Sequence, residues 1–250
     1  MTYSYQLYSS RNHPQLSETL SMLASLGYTE VEGFGGVFAD LEEPQTLRHM
    51  LDEHGLSMPT AHFSLDQVES DPQGVIDLAK VLGIRHVIIP FLQPADRPAD
   101  ADGWAAMGQR IETATAPIRD AGLGAAYHNH DFEYADLGGD DRPIDLILSN
   151  APNVNLEFDV AWSVRGGVDP QVTIDRWGDR IVAAHVKDIA PAGEKTDEDG
   201  WADVGTGTMD WPALLAALRA TDCQHFVMEH DKPSDHERFA ATSIRNAKAM

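Results

Sequence analysis

The chain has 250 residues, long enough to bury a sizeable core, and its 42% apolar and 23% charged side chains are ordinary for a soluble globular protein. Its 40 acidic against 18 basic side chains give a formal charge of −22, which repels phosphate backbones and anionic lipid and argues against nucleic acid or a membrane as partner. Cys223 is the only cysteine, so an intramolecular disulfide and a thiolate zinc cluster are excluded, and the residue reads as a small buried apolar group. The opening residues lack the basic-then-apolar profile of a secretion signal, and no apolar run approaches ~20 residues, so a cytoplasmic protein is expected.

Strand-like and helical segments alternate along the chain. Tyr3–Ser9 reads as a strand, and Pro14–Leu26 as a helix with Leu16, Leu20, Leu23 and Ala24 at helical spacing. Tyr28–Phe34 is the second strand, Glu43–His54 a helix and Leu56–Leu65 the third strand. Asp71-Pro72 is a cap followed by proline at the first helical position. That helix runs to Gly83, and the strand His86–Leu92 follows. Trp104–Ala121 is helical, Leu123–His130 a strand, Pro143–Asn150 a helix and Val154–Ala161 a strand. Asp169-Pro170 repeats the cap ahead of a helix to about Gly178. Ile181–Ile189, the helix Trp211–Ala220, the strand His225–Asp231 and the helix Glu237–Ala249 complete the chain.

Gly27, Gly55, Gly83 and Gly122 each stand between a helix and a strand, where glycine takes the left-handed conformation that ends a helix. Eight strand–helix units with no internal linker predict a parallel (β/α)8 TIM barrel, one domain over residues 1–250. An open doubly wound sheet is the runner-up, but no Gly-rich phosphate loop follows the first strand. The longest connection, Ala190–Met209, reads equally as a lid or as a plain surface excursion.

In such barrels the site lies at the C-terminal strand ends. Side chains alternate faces along a strand, and the outward face must be apolar to meet the helices. Leu156, Phe158 and Val160 therefore set Glu157 and Asp159 inward. Val182, Ala184 and Val186 do the same for His185 and Lys187, and Phe226 and Met228 for Glu229. His128 and His130 likewise face the axis, as do Thr60 and His62, whereas His230 faces outward and reads as structural. Two carboxylates at the end of an apolar strand are costly without a compensating cation. Asp159, His185 and Glu229 with an imidazole from His128 make a ligand field suited to Mn, Co, Zn or Fe rather than Ca. Separate buried pairs, Asp159 with His185 and Glu229 with Lys187, are the structural alternative.

The chain resembles the xylose-isomerase-like TIM-barrel family of sugar isomerases and epimerases, inosose dehydratases and endonuclease IV-type enzymes. The resemblance is carried by Tyr127-His128-Asn129-His130-Asp131-Phe132-Glu133, Glu157-Phe158-Asp159, His185-Val186-Lys187-Asp188, the run from Gly205 to Trp211, and Met228-Glu229-His230. It implies a metal held by side chains of strands five to eight, here His128, Asp159, His185 and Glu229. Many relatives have Glu at the position of His128, and often a His at that of Trp162. Whether His128 or His130 is the strand-five ligand stays open.

The resemblance further implies carbon-acid chemistry on a keto-sugar or cyclitol, with one divalent ion, Mn2+ first and Co2+, Zn2+, Fe2+ or Mg2+ as alternatives, stabilising an ene-diolate. Glu229 is the candidate base, and His130, Lys187 or Glu157 the groups that return a proton. Lys187 reads equally as an ion pair with Glu157 or Glu229. His62, Trp162 and Glu157 are candidate substrate contacts. Trp162, Trp201 and Phe34 offer either a wall against a sugar ring or plain packing. Isomerase or epimerase is the first expectation, with β-elimination or hydration of a 3-keto-glycoside or inosose as the alternative. A DNA repair endonuclease and a non-catalytic sugar-binding protein are the readings from other classes. A small sugar is the expected partner, with a homodimer or homotetramer as the assembly common in this family.

Overall fold

Eight parallel strands close into a barrel in the computed structural model, which describes residues 2–13, 15–39, 41 and 43–250. They are β1 Thr2–Gln6, β2 Glu30–Gly33, β3 Ser57–His62, β4 His86–Ile89, β5 Gly124–His128, β6 Asn155–Asp159, β7 Ile181–Val186 and β8 His225–Met228. Each pairs with its successor, and β8 closes on β1 through Thr2↔His225 to Tyr5↔Met228. The four glycines expected between helix and strand, Gly27, Gly55, Gly83 and Gly122, all have positive φ. The TIM-barrel expectation holds.

Most of the apolar core lies between barrel and helices, where Leu156, Phe158, Ala184, Val186, Phe226 and Met228 are buried as expected. Val182 departs from that pattern. It groups with Ile88 and Ala126 in a small separate cluster rather than with Ala184 and Val186. The cause is a register shift: Leu156 pairs with Ile181 but Glu157 with Ala183, so β7 carries one extra residue there.

The strands also end earlier than their apolar pattern suggests. Tyr3–Ser9 divides into β1 and a 3-10 turn at Leu7–Ser10, a helix begins at Val160 directly after β6, and others begin at Gly35 and Leu65 within three residues of the ends of β2 and β3. The helix expected over Trp104–Ala121 is two, Ala101–Ala114 and Ala116–Asp120, split two residues ahead of Pro117, where the ring and missing N–H interrupt the bonding ladder. The first helix starts at Leu16; Pro14, its expected start, lies outside the described residues. Among the described residues no helix is long and apolar enough to cross a membrane.

With a net charge of −22, the surface repels itself at low ionic strength, and added salt screens that repulsion over a Debye length of about 10 Å at 0.1 M. Thermal melts should therefore show Tm rising as NaCl goes from about 0.01 M to about 0.1 M. A flat or falling Tm contradicts this.

Candidate metal centre and active-site cleft

The ends of β5 to β7 and the residue just after β8 bring His128, Asp159, His185 and Glu229 together, all buried, with one donor atom from each within 4.8 Å of the others. Nδ1 of His185 lies 2.8 Å from Glu229 Oε2 and 3.8 Å from Asp159 Oδ2. Asp159 is held from two sides. Its backbone N–H donates to Asn129 Oδ1 and its carbonyl accepts from Asn129 Nδ2, both at 3.0 Å, tying the end of β6 to the turn after β5. Its Oδ1 accepts the Trp162 N–H at 2.8 Å and so caps the helix Val160–Arg165. Oδ2 is buried and accepts no hydrogen bond, the Lys187 ammonium lying 3.2 Å away. A carboxylate oxygen spared from hydrogen bonding beside an imidazole nitrogen and a second carboxylate fits a divalent cation that accepts nitrogen and oxygen donors.

Lys187, fully buried, joins these acids instead of forming one separate pair. Its Nζ is 2.8 Å from Glu229 Oε2 and 3.1 Å from Asp231 Oδ1. Burial disfavours its charge, but Asp159, Asp231 and Glu229 outweigh that and hold the ammonium above its usual range. Asp231, which sequence reasoning passed over, stands at the cleft wall with its carboxyl raised by burial. The alternation that selected Glu229 also turns Asp231 inward, but three residues past the end of β8 that signal has faded.

Beneath this set, toward the barrel interior, lies a second polar layer. Glu157 Oε2 is 2.7 Å from His62 Nε2, 3.0 Å from His128 Nδ1 and 3.2 Å from His185 Nε2. Glu32 Oε1 is 2.8 Å from His185 Nε2 and 2.7 Å from Gln6 Nε2. Glu32 was missed by sequence reasoning, although Glu30 and Glu32 flank Val31 in the same alternation that singled out Glu157 and Asp159. Burial opposes charge on His62, yet Glu32 and Glu157 drive it up to about 10. Burial likewise opposes charge on His185, and Glu157, Glu229 and Glu32 overcome it. Burial, reinforced by His185 and His130, keeps His128 neutral.

Above the polar layers opens a cleft of about 720 Å3 whose lining includes His62, His128, His130, Trp162, Glu229 and Asp231. Among the residues expected to touch substrate, His62 and Trp162 reach the cleft, whereas Glu157 is wholly buried with its contacts directed to imidazoles. His130 has an unpartnered buried Nδ1, and burial together with Lys187 lowers its pKa to about 3, so the ring is neutral. Trp162 packs edge-on against Trp201 at 4.9 Å. His230 packs against Phe239, away from the cleft, as expected.

The Ala190–Met209 connection forms a pinned strap. Asp188–Ile189 and Trp201–Ala202 pair as a short ribbon, and Glu198 accepts hydrogen bonds from Ser234 and Arg238. Asp188 accepts the backbone N–H groups of Gly205, Gly207 and Met209. A Cβ on Gly207 would stand 2.3 Å from Asp188 Oδ1, so this loop needs glycine there.

A closed parallel barrel with a buried histidine–carboxylate cluster at its C-terminal mouth defines a class with a candidate metal centre. Residues 20–250 match the model of the xylose isomerase-like TIM barrel family, and the chain belongs to that family. An inosose dehydratase of Geobacillus kaustophilus is 23% identical over 201 residues, covering 71% of this chain and 63% of that relative. A sugar phosphate isomerase/epimerase of Parabacteroides distasonis superposes with TM-score 0.80 at 19% identity, covering 98% of this chain and 92% of that one. The IOLI protein with a bound zinc atom superposes with TM-score 0.77 at 17% identity, covering 100% and 96%.

Glu133 gives a prediction at the edge of the site. It accepts from the Tyr127 hydroxyl at 2.6 Å and the His130 N–H at 2.8 Å, and burial raises its carboxyl to about 8. A raised acid stabilises the fold when protonated, so its contribution is full below about 4.3, the unfolded value, and is lost as pH rises toward 8. Glu133→Gln should gain Tm relative to the parent over that window. A pH-independent difference contradicts this.

Proposed function

We propose that the protein is a divalent-metal-dependent lyase that eliminates water from a keto-sugar or inosose after proton abstraction next to the carbonyl. One observation carries the reading: of the two carboxylates in the metal set, Glu229 alone lines the cleft, and it is bridged by Lys187 to Asp231. Strand five contributes His128 where two-base epimerisation would use a second carboxylate, which moves the weight from the isomerase or epimerase expectation to elimination. The relatives named inosose dehydratase support the same direction.

His128, Asp159, His185 and Glu229 would hold the ion, Mn2+ first, with Co2+, Zn2+, Fe2+ and Mg2+ as alternatives; the zinc in the IOLI structure supports a site of this kind. Bound there, a divalent cation supplies Lewis acidity to a carbonyl oxygen and its neighbouring hydroxyl. Glu229 takes the proton from the carbon beside the carbonyl. That proton passes to Lys187 as Lys187 releases one to Asp231, and Asp231 protonates the departing β-hydroxyl, so water leaves and all three groups regain their starting charge. Neutral His130 accepts a hydrogen bond from a substrate hydroxyl, His62 borders the substrate from the cleft wall, and Trp162 lies against the ring face.

The test follows Mn2+-loaded protein with an inosose in deuterated water by NMR. Loss of water with formation of the unsaturated carbonyl product or its tautomer is expected, abolished by chelation and lowered about 10²–10⁴-fold in Glu229→Gln. Deuterium beside the carbonyl without loss of water would return the isomerase reading, and full turnover after metal removal would overturn both.

A further inference from the structure

The layer beneath the metal set contains two wholly buried glutamates, Glu32 and Glu157, neither of which lines the cleft. Each keeps one carboxylate oxygen, Glu32 Oε2 and Glu157 Oε1, buried without a hydrogen-bond partner. Such oxygens are expensive, and the proposed reaction touches neither residue. What their other oxygens do is consistent across three rings. Nε2 of His185 faces Glu32 Oε1 at 2.8 Å, Nδ1 of His128 faces Glu157 Oε2 at 3.0 Å, and Nε2 of His62 faces Glu157 Oε2 at 2.7 Å.

A carboxylate only accepts, so each of these ring nitrogens carries the proton. Nδ1 of His185 faces Glu229 Oε2 at 2.8 Å and by the same rule carries a proton too, so the ring is an imidazolium here; Nδ1, the nitrogen turned to the metal set, is the one whose proton a cation would replace, and in His128 the nitrogen left for a cation is Nε2. His185 Nδ1 is the nitrogen that lies beside Glu229 and Asp159.

We infer that Glu32 and Glu157 are positioning residues for the metal centre, selecting the Nε2–H tautomer of His185 and the Nδ1–H tautomer of His128 so that the opposite nitrogens bind the cation. The inference rests on the metal reading above and adds to it a function for two residues outside the ligand set. It also assigns Glu157 to the ligands rather than to substrate. The arrangement excludes His62 Nε2 as a ligand, since that nitrogen is committed to donating, although His62, His128, Glu157 and His185 also bring donor atoms within 4.8 Å of one another.

The experiment measures Zn2+ affinity by competition with a chromophoric chelator for the parent, Glu32→Gln, and Glu30→Gln as control. Glu30 is a buried carboxylate on the same strand that pairs with His225 at 2.7 Å instead of the metal set. Loss of an orienting carboxylate costs 10–100-fold in metal affinity, and that loss is expected in Glu32→Gln and not in Glu30→Gln. Equal affinity in parent and Glu32→Gln would overturn the inference while leaving the metal reading intact, whereas a parent that binds no Zn2+ would overturn the metal reading itself. Should Glu32→Gln fail to fold, long-range 1H–15N spectra of the Zn2+-loaded parent decide the matter. A protonated Nε2 on His185 is expected, and a protonated Nδ1 would overturn the assignment.

Discussion

The His185 ring is gripped from both ends: Glu229 and Asp159 stand beyond Nδ1, Glu32 and Glu157 beyond Nε2, and no part of it is exposed. Everything else at the barrel mouth follows from that clamp. Four carboxylates around one imidazole are an electrostatic liability in a dry interior, where removing one partner of a buried pair costs about 3–5 kcal/mol because the other charge is stranded. Lys187 offsets part of it from the cleft side and His62 from below. The residual negative charge and the unbonded Asp159 oxygen are what a cation would relieve.

The barrel converts this local chemistry into a site. Strand pairing sets Asp159 directly across from His185, and Asn129 fixes the β6 end to the turn after β5. The strap closes one side with Trp201, whose ring lies under the Arg165 guanidinium at 3.2 Å, while Asp188 gathers the glycine turn that lets the strap return to the barrel. In the proposed reaction, protons move among Glu229, Lys187 and Asp231 on the cleft side, while Glu32 and Glu157 lie wholly buried beneath and line no part of the cleft.

Much of this was legible in the sequence because two signals agreed. Glycine between helix and strand at four junctions marked the repeat, and strand alternation turned polar residues inward only near C-terminal ends, which pointed to His128, Asp159, His185 and Glu229 from the sequence alone. Alternation fails where register changes. The extra residue in β7 turned Val182 into the interior, and no local pattern announces such a bulge. Strand ends were overrun because Leu65 and Val160 remain buried after the backbone has turned helical, so hydrophobicity persists where hydrogen bonding does not. Glu32 was visible as alternation but not as function, since its partners His185, His62 and Gln6 lie on three other strands. Glu157 read as a substrate contact for the same reason: its face was evident, its depth was not.

Anomalous diffraction at the zinc edge from Zn2+-loaded crystals tests the central claim most directly. A single peak about 2.0–2.2 Å from Asp159 Oδ2, His185 Nδ1 and a Glu229 oxygen is the predicted result. No peak at the barrel mouth, or one seated in the lower layer against Glu157 and Nε2 of His185, would contradict it.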